Sequence, residues 1–313
     1  EISDEVEVER KRMLSTLLKR QPGIVRAKAS RGGDAFARAQ RCSSLPSSSE
    51  FELSRRTLSK GLIAASASAV LGRTVAAQAA RIDVEQLLEG YQFPDEFPFR
   101  AQDFQRFDEG SDSAFYSSPR FVTHIDDGAI NALTRFYEAN LPQGPDVAVL
   151  DICSSWISHL PKDYSAGRVA GLGMNDEELR ANPQLTDYVV QDLNEKPRLP
   201  YEAESFDAVL NAVSVDYMTK PLELFQEIHR VLKPGGVAMM SFSNRCFPTK
   251  AISVWTQTGD PDHVLIVGSY FHYAGGFEHP KCKDISPSNW SLPFAKVLGS
   301  GDPMYVVYGK KEA

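Results

Sequence analysis

From residue 147 onward, short apolar runs alternate with amphipathic stretches. The runs VAVLDI, GRVAGLGM, DYVVQDLN and VAMMSFS are brief, with apolar centres, and bounded by Gly, Pro, Asn and Asp. That pattern predicts strands. SFDAVLNAVSVDYM predicts a further strand, fourth in chain order, that runs into a loop. NDEELRANP predicts a helix start, with Asn175 as cap, Glu178 as capping-box partner three residues later, and Pro183 as stop. KPLELFQEIHRVLKPGG sets Leu222, Phe225, Ile228, Val231 and Leu232 on one side of a helix that Pro234, Gly235 and Gly236 end. FPTKAISVWTQTG predicts another helix. HVLIVGSYFHYAGGF and DPMYVVYGKK predict late strands with no helix between them. Strands alternating with helices predict an α/β fold: seven strands, mostly parallel, with helices on both faces and an antiparallel C-terminal edge strand.

The segment before this alternation is less regular. Residues 80–140 predict a helical lead-in or cap. DVEQLLEGYQFPDEFPFR begins with one or two helical turns and breaks at Pro94 and Pro98. DDGAINALTRFYEANLP predicts a helix carrying Ile130, Leu133, Phe136 and Tyr137, capped by Asp126 or Asp127 and followed by Pro142. Between them, Phe115, Tyr116, Phe121 and His124 either lid a pocket or bury an apolar face, the commoner use.

Composition narrows the class of partner. The chain has 313 residues, mean hydropathy −0.29 and formal charge −7. Residues 80–313 hold 20 Lys/Arg against 33 Asp/Glu, so the predicted globular part is strongly acidic. Such a surface is a poor match to a phosphate backbone, which argues against nucleic acid as a partner. Cys42, Cys153, Cys246 and Cys282 form no CxxC pair and no Cys/His zinc spacing, so no metal site is predicted. An oxidising compartment would permit a Cys246–Cys282 disulfide, which spacing alone does not establish.

Residues 1–79 differ in kind. From Met13 to Ser49 there are seven basic residues, seven Ser and one acid, Asp34. That is the composition of an organelle transit peptide, and it makes Met13 the expected start, with residues 1–12 an upstream artefact. SRRTLSKGLIAASASAVLGRTVAAQA then sets Arg55-Arg56 before a short apolar run and an Ala77-Gln78-Ala79 cleavage site. The run is shorter than the ~20 residues of a membrane span and reads as a twin-arginine export signal. Transit peptide followed by twin-arginine signal resembles the presequence of thylakoid-lumen proteins. The expectation is a chloroplast protein, lumenal, mature from about Ala80 and without a transmembrane segment. The competing reading is an Ala-rich helix with a chance Arg pair.

SFDAVLNAVSVDYMTKPLELFQEIHRVLKPGGVAMMSFSN carries a more specific signature. Residues 130–310 resemble the class I S-adenosylmethionine-dependent methyltransferases, type 11 small-molecule group. The resemblance implies a Rossmann-like domain over residues 141–313, S-adenosylmethionine as cofactor and a small-molecule acceptor. Ligands of open parallel sheets lie at the carboxyl ends of the strands. There the candidate cofactor residues are Asp151, Ser154, Ser155, Trp156, Gly173, Asn175, Asp192, Leu193 and Asn211. The family would have Asp192 meet the adenine amino group.

The sequence departs from the family in that crevice. Cys153, Ser155 and Ile157 stand where the family has glycines. Glycine tolerates positive φ and close ligand approach, and β-branched Ile157 does not. Either the turn takes another path or residue 157 is already helical. Trp156 either flanks the cofactor or fills its place. Gly173 stands where an acid would bind ribose hydroxyls, leaving Asn175 as a ribose anchor, a helix cap, or both. Methyl transfer is an in-line displacement in which positioning supplies much of the rate. No catalytic role is assigned to Asp216, Tyr217, His124, His272 or Tyr273, and His159 reads as a helix-end residue. Two functions follow: methyl transfer to a small molecule, or a catalytically inactive methyltransferase-like binding or assembly factor. The sequence specifies neither the acceptor nor the oligomeric state.

Overall fold

The apolar runs pair into one sheet in the computed structural model, which describes residues 82–287 and 301–313. The whole predicted presequence, residues 1–79, lies outside the described residues. The strands are β1 Gly144–Ser154, β2 Ala166–Gly173, β3 Asp187–Val190, β4 Phe206–Ala212, β5 Leu232–Phe242, β6 Lys281–Asp284 and β7 Tyr305–Lys310. Their spatial order is β3-β2-β1-β4-β5-β7-β6. The first five run parallel, and β7 enters antiparallel between β5 and β6. Strand order reverses at β1/β4, which makes that junction the switch point where such sheets bind ligands.

Side-chain alternation sends each strand's residues to two faces. Leu150, Ile152, Val209 and Met240 face a large core under α1 (Val84–Glu89), α5 (Pro221–Val231) and α7 (Asp260–Ala274). Val149, Leu210 and Met239 face a smaller core under α3 (Asp127–Asn140), built on Leu133, Tyr137 and Leu160. Asp126 caps α3 and Asn175 caps α4 (Asp176–Ala181), as their positions predict. Two further helices, α2 (Asp112–Phe115) and α6 (Ser253–Thr256), are four residues each.

Three predicted elements differ. HVLIVGSYFHYAGGF is not a strand but the body of α7. Every residue from His263 to Phe271 is buried, so no polar face gives the helical period away. Gly259 caps it, Pro261 sits in its first turn, and Gly275 at φ +77° ends it. The antiparallel partner of β7 is instead Lys281–Asp284, whose lone apolar residue Cys282 gives little strand signal. The expected helix at residues 247–259 reduces to the single turn of α6. Finally, α5 stops at Val231, and the chain enters β5 at Leu232, before the Pro-Gly-Gly turn. Cys246 and Cys282 are both free thiols, so the permitted disulfide is not formed.

Candidate crevice at the carboxyl ends of the strands

The crevice is built around the turn after β1. Cys153 occupies the first family glycine position and takes φ +55°, the left-handed conformation glycine would supply. A non-glycine residue is held there at a cost of about 1–2 kcal/mol. Ile157 avoids positive φ altogether, and no helix follows. Residues 155–165 cross from β1 to β2 as loop, so neither a helical residue 157 nor a helix-end role for His159 holds. Side chains from elsewhere satisfy the loop's carbonyls. Asn182 Nδ2 donates to the Ser155 carbonyl (2.9 Å) and Ser158 Oγ (2.8 Å). Gln184 Nε2 donates to the carbonyls of Leu160 and Pro161, and Thr134 Oγ1 to that of His159.

Gly173 answers the missing ribose acid in steric terms. A register shift at the end of β1 brings Ser154 opposite Gly173. A Cβ on Gly173 would strike the Ser154 carbonyl. No acid fits at that position while β1 runs this way. Glu178, in the first turn of α4, is buried and lines the crevice. It is not a capping-box partner: its Oε1 accepts the Arg120 backbone N–H at 2.6 Å.

Seven of the nine candidate cofactor residues line one crevice: Asp151, Ser154, Ser155, Gly173, Asn175, Asp192 and Leu193. Asp151 is buried and accepts from Ser154 Oγ at 2.6 Å. Burial pushes its carboxyl up to about 7 against the hydroxyls of Ser154 and Ser158. Asp192 Oδ1 accepts the backbone N–H groups of Asn194 and Glu195. Asn175 spends its amide elsewhere. Its Oδ1 caps α4, and its Nδ2 donates to the Tyr116 carbonyl at 2.9 Å, so it serves both the helix start and the lead-in. Trp156 lies outside the lining, its Nε1 donating to the Val122 carbonyl at 3.1 Å. Asn211 also lies outside, fully buried beneath the crevice, with Nδ2 on the Ile152 carbonyl.

The roof is the lead-in, which crosses the crevice as a strap at residues 106–124. Arg120 N–H meets α4, the Tyr116 carbonyl meets Asn175, and the Val122 carbonyl meets Trp156. At the other side Asp112 accepts from Arg106 Nη1 (2.6 Å) and Asn194 Nδ2 (2.9 Å), with Lys250 Nζ at 3.2 Å. Burial alone would raise the Asp112 carboxyl, yet Asn194, Arg106 and Lys250 hold it below its ordinary value. Of the predicted lid aromatics, Tyr116 lines the crevice, whereas Phe121 is exposed beside Trp156.

Sequence reading missed Arg120, Glu178 and Lys250 as lining residues. Their shared property is contact across more than fifty positions, which leaves no local motif. His159 also lines the crevice, at φ +56°; burial lowers its imidazole to about 4, and its Nδ1 has no partner among the described residues. Tyr217 and His124 line the rim, while Asp216 is buried behind it. His272 and Tyr273 lie apart, in the aromatic packing of α7 against Phe93.

Residues 150–240, from β1 into β5, match the family model described as a methyltransferase domain. A malonyl-[acyl-carrier protein] O-methyltransferase of Marinomonas sp. (strain MWYL1) is 32% identical over 79 residues, 25% of this chain and 28% of that protein. The biotin biosynthesis bifunctional protein BioHC of Teredinibacter turnerae is 33% identical over 132 residues, 42% of this chain and 20% of that protein. The chain thus spans less than a third of these relatives. Among solved structures, the [4+2]-cyclase SpnF aligns with TM-score 0.45 and 16% identity, over 64% of this chain and 92% of that chain.

Proposed function

We propose that this chain, whose residues 150–240 belong to the class I methyltransferases, binds S-adenosylmethionine in the crevice and passes its methyl group to a small molecule. One observation carries the reading. Asp151, Gly173 and Asp192 converge at the ends of β1, β2 and β3 in the segment that matches the family. The crevice fits the cofactor in two further respects. The turn at Cys153 keeps glycine-like backbone, and Trp156 leaves the lining clear. No observation favours the inactive reading.

Bound, the cofactor supplies an electrophilic methyl on a sulfonium. The protein's part is to seat and orient. Asp192 takes the adenine edge. Glu178, displaced five residues from the end of β2, takes the ribose hydroxyls that Gly173 cannot. Asp151, Ser154 and Ser155 shape the floor. Calorimetric titration of the full chain with S-adenosylhomocysteine tests this. Binding in about the micromolar to millimolar range is expected. No heat and no thermal shift at millimolar ligand would overturn it.

The address is a separate proposal. The acid-poor N-terminus and Arg55-Arg56 ahead of Ala77-Gln78-Ala79 support delivery to the thylakoid lumen. Import into isolated chloroplasts should give a lumenal form that Arg55→Lys with Arg56→Lys abolishes. Continued lumenal delivery of that double variant counts against the twin-arginine reading. Among the described residues, no helix is long and apolar enough to cross a membrane.

A further inference from the structure

We propose that the methyl acceptor is an anion, a carboxylate or phosphate ester, and that Arg120 reads its negative group. The inference rests on the methyl-transfer reading of the same crevice. Three cationic side chains from Arg or Lys line it, and two are committed. Arg106 is paired with Asp112 and Glu109, and Lys250 with Asp108 and Asp112. Arg120 makes no ion pair with a carboxylate among the described residues. Its Nη2 donates to the Phe115 carbonyl at 2.8 Å, and its Nη1 is buried without a partner. Leaving a guanidinium N–H out of water and unpaired is costly unless a ligand completes it.

The group is also held in place. Its Cζ lies 4.5 Å from the Phe115 ring centroid, 5.5 Å from Tyr116 and 5.8 Å from Phe247. A planar fork fixed on aromatic faces is suited to bidentate contact with carboxylate or phosphate. Glu178 accepts Arg120's backbone N–H and feels the guanidinium's charge, but it forms no ion pair with the side chain. The side chain reaches the β4–β5 side. Phe247 follows β5, and its N–H donates to Tyr217 Oη, just beyond β4, at 2.8 Å. The cofactor is assigned to the ends of β1–β3, so the anion read here belongs to the acceptor.

The test uses the full chain at constant ionic strength, with and without saturating S-adenosylhomocysteine. Butyrate and inorganic phosphate serve as anionic probes, and butyramide is the neutral control. At least one anion should bind the native chain while butyramide does not. Arg120→Leu should weaken anion binding about tenfold or more and leave S-adenosylhomocysteine affinity within about twofold. Arg120→Lys should recover part of the anion affinity. Arg120→Gln carries the same expectation as leucine if the leucine variant fails to fold. Equal anion binding by native and variant chains overturns the proposal, as does no discrimination between butyrate, phosphate and butyramide. A matching loss of S-adenosylhomocysteine affinity overturns it too, since Arg120 would then hold the cofactor's own carboxylate. A native chain that binds anions but no S-adenosylhomocysteine defeats the methyl-transfer reading and leaves the anion site standing.

Discussion

The two parallel crossovers on either side of the switch point solve one problem in different ways. From β4 to β5 the chain crosses through α5, whose Leu224, Phe225, Ile228 and Val231 cover one face of the sheet. Its backbone groups are satisfied within the helix. From β1 to β2 the chain crosses through eleven residues of loop, and distant side chains stand in for helical hydrogen bonds. The strap roofs the crevice over that loop. The difference shows where smallness is required. In this chain the end of β1 holds left-handed backbone with Cys153, while at the end of β2 Gly173 admits no side chain.

The comparison breaks most easily at the strap. Asp112 is the hub joining strap, β3 loop and β5 loop. Asp112→Ala leaves Arg106, Lys250 and Asn194 without their shared acceptor in a buried place. A loss of about 3–5 kcal/mol is expected by denaturant unfolding, since removing one partner strands buried charge. A loss under about 1 kcal/mol would mean the network is solvated and does not hold the strap. Next comes Gly173→Ala. The added Cβ meets the Ser154 backbone carbonyl, which cannot swing aside as a side-chain tip would. About 3 kcal/mol is expected, with Ser154 shifted in a crystal structure of the variant. A neutral outcome would show that the close pairing of β1 and β2 relaxes at little cost.

These two residues also mark how far the sequence was readable. The five parallel strands were legible because their signals are local: short apolar runs, an amphipathic α5, and caps at Asp126 and Asn175. Asp151, Gly173 and Asp192 reach the crevice because strand ends must. The long buried helix was not legible. A helix covered on every side has no 3.6-residue stripe, and its β-branched and aromatic content imitates a strand. The strap was illegible for another reason. Its bonds join residues 112 to 194, 116 to 175, 120 to 178 and 122 to 156, and no spacing rule connects such positions. For the same reason Asn175 and Trp156 read as ligand contacts when their polar atoms serve the strap.

A smaller effect concerns charge under the crevice. Burial raises Asp151 to about 7 and Asp216 to about 8. Such acids keep a proton in the folded chain that the unfolded chain has released. Stability should therefore fall as pH rises from the ordinary carboxylate range through these folded values. His159 and His263, lowered to about 4 by burial, act in the opposite sense. Their contribution is lost as pH falls from about 6.5 and is nearly constant above about 7. Between pH 6.5 and 8 the two acids should dominate, lowering stability by about 2 kcal/mol. Asp151→Asn should flatten part of that slope. A native chain equally stable across the window would mean that water reaches Asp151 beneath the turn.

The smallest effect decides whether the turn itself is as strained as its φ implies. Cys153→Ala removes the sulfur and keeps the left-handed strain. Cys153→Gly removes both. In an ordinary strand glycine would be the worse choice, by about 0.5–1 kcal/mol, because it gives the unfolded chain more freedom. At φ +55° the relief of about 1–2 kcal/mol outweighs that entropy. The glycine variant should therefore be more stable than the alanine variant by up to about 1 kcal/mol, read from denaturant midpoints at equal slopes. Alanine exceeding glycine by half that much would show that the turn adopts ordinary φ in solution. The crevice floor would then not have the glycine-like shape on which the cofactor seat depends.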